Sequence, residues 1–134
     1  MSKTTTPEEL ERLGRKWQEI LRLQDWDVEF SFARQSDIDD ADARCFPHLS
    51  RKEAKIKILD PLDFHGERLE GAGSPQNIEM LVVHELIHLH FEPFWKEKHE
   101  TEMEQAIHSL AKAFLAATTP PKVPRSGSPL VRAD

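Results

Sequence analysis

The sequence has no tyrosine, one cysteine and no long apolar run, and each shortage removes a class of protein. Cys45 stands alone, so an internal disulfide is excluded, as is any metal site built from several thiolates. No apolar stretch, Met80 to Val83 included, comes near the length needed to span a bilayer. Basic charge is also scarce. The net charge is −6, so no positive field draws in nucleic acid or an anionic membrane surface, and neither is expected as a partner. The opening residues, Met-Ser-Lys-Thr-Thr-Thr-Pro, do not read as a signal peptide, which makes the cytoplasm the expected location.

What remains is an ordinary globular composition, 38% apolar and 31% charged, in 134 residues. That length holds a single domain. Its polar ends are expected to lie outside it, as a flexible N-terminus over 1–6 and a disordered tail over 119–134 rich in proline, glycine and serine. Residues 7–118 form the expected domain, large enough for a real core.

Within it the hydrophobic period changes several times. Thr6-Pro7-Glu8-Glu9 has the form of a capped helix start, and Leu10, Leu13, Trp17, Ile20 and Leu21 follow at helical spacing. Trp26, Val28, Phe30 and Phe32 then alternate with polar residues, the two-residue repeat of a half-buried strand. Ala43 to Leu49 is a second candidate strand, which Pro47 confines to an edge or a bulge. Ala54, Ile56 and Ile58 mark a third, with Lys55 and Lys57 on its outer face. Asp60 to Gly73 reads as loop.

Ser74-Pro75 is the expected start of a central helix that Pro93 closes. Its apolar residues, from Ile78 to Phe91, point almost all the way round, which predicts burial in the middle of the fold. A last helix from about Thr101 to Ala117 carries Met103, Ile107, Leu110, Phe114 and Ala117 as its expected buried stripe. The fold class is therefore α+β. A sheet of about three strands packs with an N-terminal helix, a buried central helix and a C-terminal helix that bears glutamates.

The central helix contains His84-Glu85-Leu86-Ile87-His88. Residues four apart share a helix face, so both imidazoles can reach one metal ion, while Glu85 projects about 100° away, where a general base belongs. The plain alternative is a pair of packed or solvated histidines. Burial within an apolar helix argues against it, because polar groups are costly there without a purpose.

A catalytic zinc generally takes three protein ligands and leaves one position open. His90 points away from His88, and Glu92 lies a further turn along the axis. Glu104 borders the apolar stripe of the last helix and is the leading third ligand, whereas Glu102 faces solvent. Glu104 also has a competing role, because Thr101-Glu102-Met103-Glu104 is itself a capping box. Glu100, His99, His65 and Asp63 remain as further candidates. His108 follows Glu104 by one turn, where it could orient a ligand or stabilise developing negative charge, the plain alternative being a half-exposed histidine on an amphipathic helix. With tyrosine absent, any electrophilic helper has to be a histidine, an arginine or the metal itself.

Val82-Val83-His84-Glu85-Leu86-Ile87-His88, followed by a helix carrying Glu104-Gln105-Ala106-Ile107, resembles the zincin metallopeptidases. Within them it is similar to the gluzincin branch and its minimal members, the minigluzincins. That resemblance implies zinc bound by His84, His88 and Glu104, catalysis by Glu85 with His108 as possible helper, and a peptide or protein substrate extended along an edge strand. It covers about Trp17 to Ala117, and its specific part is the two helices. The metzincin continuation after His88 is missing, and the polarising residue of larger gluzincins has no counterpart beyond His108. A zinc-containing interaction module without turnover is the alternative.

Overall fold

The computed structural model describes residues 5–64 and 76–118. The expected flexible residues at the extreme N-terminus, the tail from 119, the candidate ligand His65 and the helix-start pair Ser74-Pro75 lie outside the described residues. The architecture is the expected α+β one, with three α-helices and a three-stranded mixed sheet among the described residues.

Helix α1 (Pro7–Ile20) begins as its sequence prescribes. The Thr6 hydroxyl accepts from the Glu9 N–H at 3.1 Å, and the Glu9 carboxylate accepts from the Thr6 N–H at 2.9 Å. A cap of this kind is worth about 1 kcal/mol. The helix buries Leu10, Gly14, Trp17 and Gln18, with Leu21 just beyond its end, whereas Ile20 turns out to be 39% exposed. Gly14 lies flat on the ring of Phe30, so close that a Cβ there would meet three ring carbons at 2.4–2.6 Å. Gln18, also buried, donates to the carbonyls of Leu23 and Trp26 and so fixes the turn into the sheet.

Strands β1 (Asp27–Ala33), β2 (Ala43–His48) and β3 (Glu53–Leu59) lie in the order β1-β3-β2. β1 runs parallel to β3 and β2 antiparallel to it. Ala54, Ile56 and Ile58 point into the core and Lys55 outward, as the alternation predicts. β2 is an edge, and the backbone explains its proline. Leu59 N–H donates to Asp42 C=O, so in this register Arg44, Phe46 and His48 exchange hydrogen bonds with β3. The backbone groups of Ala43, Cys45 and Pro47 therefore point to the free edge, where a missing N–H breaks no ladder bond.

Helix α2 (Ile78–Phe91) packs beneath β2 and β3 and against α1. It starts later than Ser74-Pro75 suggested. Asn77 is the N-cap, its side chain accepting from the Met80 N–H at 3.0 Å, and asparagine fills that position as well as serine does. Val82, Val83, Glu85, Leu86, Ile87 and Leu89 are buried, as expected of an apolar helix at the centre. A 3₁₀ turn (Glu92–Phe94) containing Pro93 ends it.

Helix α3 (Glu100–Thr118) packs on α2 and is rotated from the expected orientation. Its buried residues are Ile107 and Ala111, whereas Leu110 and Phe114 are more than a third exposed and Ala117 is exposed. The small Ala111 lets the helices approach along a narrow line, which one neighbouring helix can cover and a broad stripe cannot use.

Candidate metal centre

His84 and His88 lie on the α2 face turned toward α3, and the two rings are 5.3 Å apart between centroids. Both side chains are about one-fifth exposed. Glu104 stands opposite them on α3. One of its carboxylate oxygens is 3.4 Å from Nε2 of His84, and the other is 3.3 Å from Nε2 of His88. These separations exceed those of good charge-assisted hydrogen bonds, which run about 2.7–2.9 Å. Each imidazole faces a different oxygen of the carboxylate, so Glu104 spans the histidine pair from the other helix. Two imidazoles and a carboxylate are ligand types that zinc takes.

Glu85 is the second carboxylate at the histidine pair. Its ligand atom, with those of His84 and His88, forms a group lying within 4.8 Å of one another. Proximity alone would make it a ligand, but its position on the helix argues for another role. Glu85 follows His84 directly, so its side chain leaves α2 about 100° away, while Glu104 comes from across the groove to meet both imidazoles. Glu85 is also 7% exposed. Burial, and after it the neighbouring Glu104 carboxylate, push its pKa up from 4.5 to about 8, and Arg44 on β2 opposes the rise. In the metal-free chain Glu85 is thus mainly a neutral acid at pH 7.

His84 shifts in the direction that suits a ligand. Burial first, and then the adjacent His88, hold its pKa below the usual histidine value, against the attraction of Glu104. A neutral imidazole has its lone pair free for a metal.

The remaining candidates separate cleanly. Glu100 and His108 line a cleft of about 870 Å³ together with His84, Thr101, Glu104, Gln105 and Ser109. The His108 ring is 6.0 Å from that of His84, near enough to face a substrate held there. His99 is exposed in the 3₁₀ turn before α3. Asp63 is engaged elsewhere, gripping Arg34 through two hydrogen bonds of 2.8 Å and accepting from the Gln35 N–H. His90 reaches the Leu21 carbonyl at 2.7 Å and tethers α2 to the end of α1. The competing role for Glu104 falls away because Thr101 lies inside α3 rather than before it. Glu102 is exposed, as expected.

Two neighbours of the site are absent from the sequence reading. Arg44 acts on Glu85 from the edge strand, and the Trp95 ring stacks 5.3 Å from that of His88 at a tilt of 33°. Arg44 is on another element, and Trp95 follows His88 by seven residues but only after α2 has ended at Phe91, so no spacing within one element placed either. Cys45 faces inward near the same helix, and burial raises its thiol pKa, which leaves it unreactive.

Compared with protein-family models, curated proteins and solved structures, the chain has no match.

Proposed function

We propose that the protein is a zinc-dependent metallopeptidase of the gluzincin kind, with His84, His88 and Glu104 as metal ligands and Glu85 as general base. One observation carries the reading. A carboxylate sixteen residues beyond His88, on a different helix, meets both imidazoles at 3.3–3.4 Å. Chance histidines on an apolar helix do not require such a partner.

Zinc bound there supplies Lewis-acid polarisation of a carbonyl and a water of lowered pKa. Its charge also favours the ionised form of Glu85, reversing the effect of burial. Glu85 takes the proton of the attacking water and hands it to the departing nitrogen, so amide and water leave as acid and amine. His108, which lines the cleft with His84 and Glu104, donates a hydrogen bond to the oxygen that gains charge. An extended peptide pairs with the free edge of β2 through Ala43 and Cys45, and Pro47 offers it a carbonyl but no donor. A cytoplasmic location belongs to the same reading. It rests on the lone Cys45, and no helix among the described residues is long and apolar enough to cross a membrane.

A second reading is a zinc-containing interaction module without turnover, favoured by the small size of the chain and its lack of a tyrosine to polarise a substrate. Metal content and a peptide-library digest decide among these. We expect one zinc per chain, lost or weakened by His84→Ala and by Glu104→Ala, and library cleavage that Glu85→Gln reduces at least about 100-fold with zinc retained. Zinc kept by Glu104→Ala would move the third ligand elsewhere. Zinc-replete protein that cleaves no peptide library while binding one partner would support the interaction module, and full activity in Glu85→Gln would sink the mechanism.

A further inference from the structure

The two histidines have unequal surroundings. His84 borders the cleft, with His108 6.0 Å away between ring centroids. His88 is not among the cleft-lining residues. Its imidazole lies between the ring of His84, the carboxylate of Glu104 and the indole of Trp95.

The chain makes a specific turn to put the indole there. Pro93 cannot continue the hydrogen bonding of α2, and the 3₁₀ turn that follows carries the chain back. The Trp95 N–H closes that turn on the Glu92 carbonyl at 3.2 Å, and the residue then adopts an extended conformation. Phe94 in the same turn is 71% exposed, whereas Trp95 is partly buried and packs on the core. The turn thus gives its large ring to His88 and leaves Phe94 to solvent.

Before metal binds, an imidazole rotates about its own side-chain bonds unless something blocks it, and a neighbour that orients it in advance raises metal affinity. For His84 the neighbours are other polar rings and an open cleft. For His88 the neighbour is a rigid aromatic plane tilted only 33° from its own. Resting on the metal-centre reading above, we propose that Trp95 is a positioning residue for His88. Its indole holds the imidazole plane so that Nε2 faces Glu104, and it walls the centre so that access is from the His84 and His108 side. Trp95 touches no substrate in this arrangement and acts through the ligand alone. As one of three tryptophans, and the one stacked on a ligand, it also reports occupancy of the centre through its emission.

The test compares wild type, Trp95→Phe and Trp95→Leu, each stripped with chelator. Zinc affinity is measured by competition with a chromophoric chelator, unfolding of the metal-free protein by melting, and indole emission during zinc addition. Trp95→Leu keeps apolar bulk but loses the plane, and is expected to bind zinc about 10- to 100-fold more weakly. Trp95→Phe keeps a ring and should stay within about threefold of wild type by the same reasoning. Zinc should change the emission of wild type and leave that of Trp95→Phe, which retains Trp17 and Trp26, unchanged. Trp95→Leu binding zinc as tightly as wild type would overturn the proposal. So would loss of affinity in step with a general loss of metal-free stability, which marks Trp95 as core filling alone. If Trp95→Leu does not fold, an emission change that persists in Trp95→Phe overturns it. Wild type that takes up no zinc overturns the metal-centre reading itself, and this inference with it.

Discussion

Glu85 is a carboxylic acid 7% exposed between a helix and a sheet, and such a group makes stability depend on pH. Its folded pKa of about 8 lies above the unfolded value near 4.5, so in the metal-free protein the folded state holds a proton that the unfolded state releases. That stabilisation is complete below about pH 4.5 and is lost as pH rises through about 8. Each pH unit between the two is worth about 1.4 kcal/mol, so the whole effect is on the order of 5 kcal/mol. His84 acts with the opposite sign. Its folded pKa is depressed, so its contribution is present above the unfolded histidine value near 6.5 and is lost as pH falls through the lower folded value. Comparing Glu85→Gln with wild type, both metal-free, separates the two. By urea unfolding the variant should be the more stable at pH 8.5, and the advantage should shrink toward pH 5. An advantage that does not vary with pH would mean that Glu85 is already ionised in the folded chain.

Helix α1 and the sheet meet through a glycine. In an exposed helix Gly14→Ala would stabilise by about 1 kcal/mol through propensity. Here the added methyl would lie 2.4–2.6 Å from the Phe30 ring carbons, and overpacking of this kind costs about 1–3 kcal/mol. We expect Gly14→Ala to destabilise, and Phe30→Leu in the same chain to recover much of the loss. Denaturant melts of the two single variants and the double variant measure that coupling, and strict additivity would argue against the close approach. Such a contact is not legible in sequence, where Gly14 reads only as a weak point in a helix. The element itself was legible. Thr6, Pro7 and Glu9 form a cap out of neighbours along the chain, so no distant residue is needed to define it. For α3 the same local pattern misled. Leu110 and Phe114 lie on a stripe as apolar as that of Ile107, and only the closeness of α2 decided which line was buried.

At the scale of the molecule, α1, α2 and the sheet form one core, while α3 is attached to it chiefly through α2. With Ile107 and Ala111 its buried residues, α3 should be the first helix to open when the metal is removed. Hydrogen exchange should show α3 amides exchanging at least about tenfold faster than those of α2 in chelated protein. Zinc, by tying Glu104 to His84 and His88, should slow α3 selectively and raise the melting temperature as ligand linkage requires. Equal protection of α2 and α3 without metal would show that the interhelix packing suffices alone. The sequence by itself determined whatever depends on residues near one another in the chain. That covers the capped start of α1, the alternation of β1 and β3, the edge position that Pro47 imposes on β2, and the placing of His84 and His88 on one face with Glu85 off it. A helix of 3.6 residues per turn leaves no other arrangement. The tertiary structure alone decided that Glu104 meets those histidines, that Asp63 is spent on Arg34, that α3 is rotated, and that Trp95 stacks on His88. Each of these depends on how two elements cross or how a turn reverses. Packing over the whole chain sets those quantities, and the spacing within one segment does not carry them.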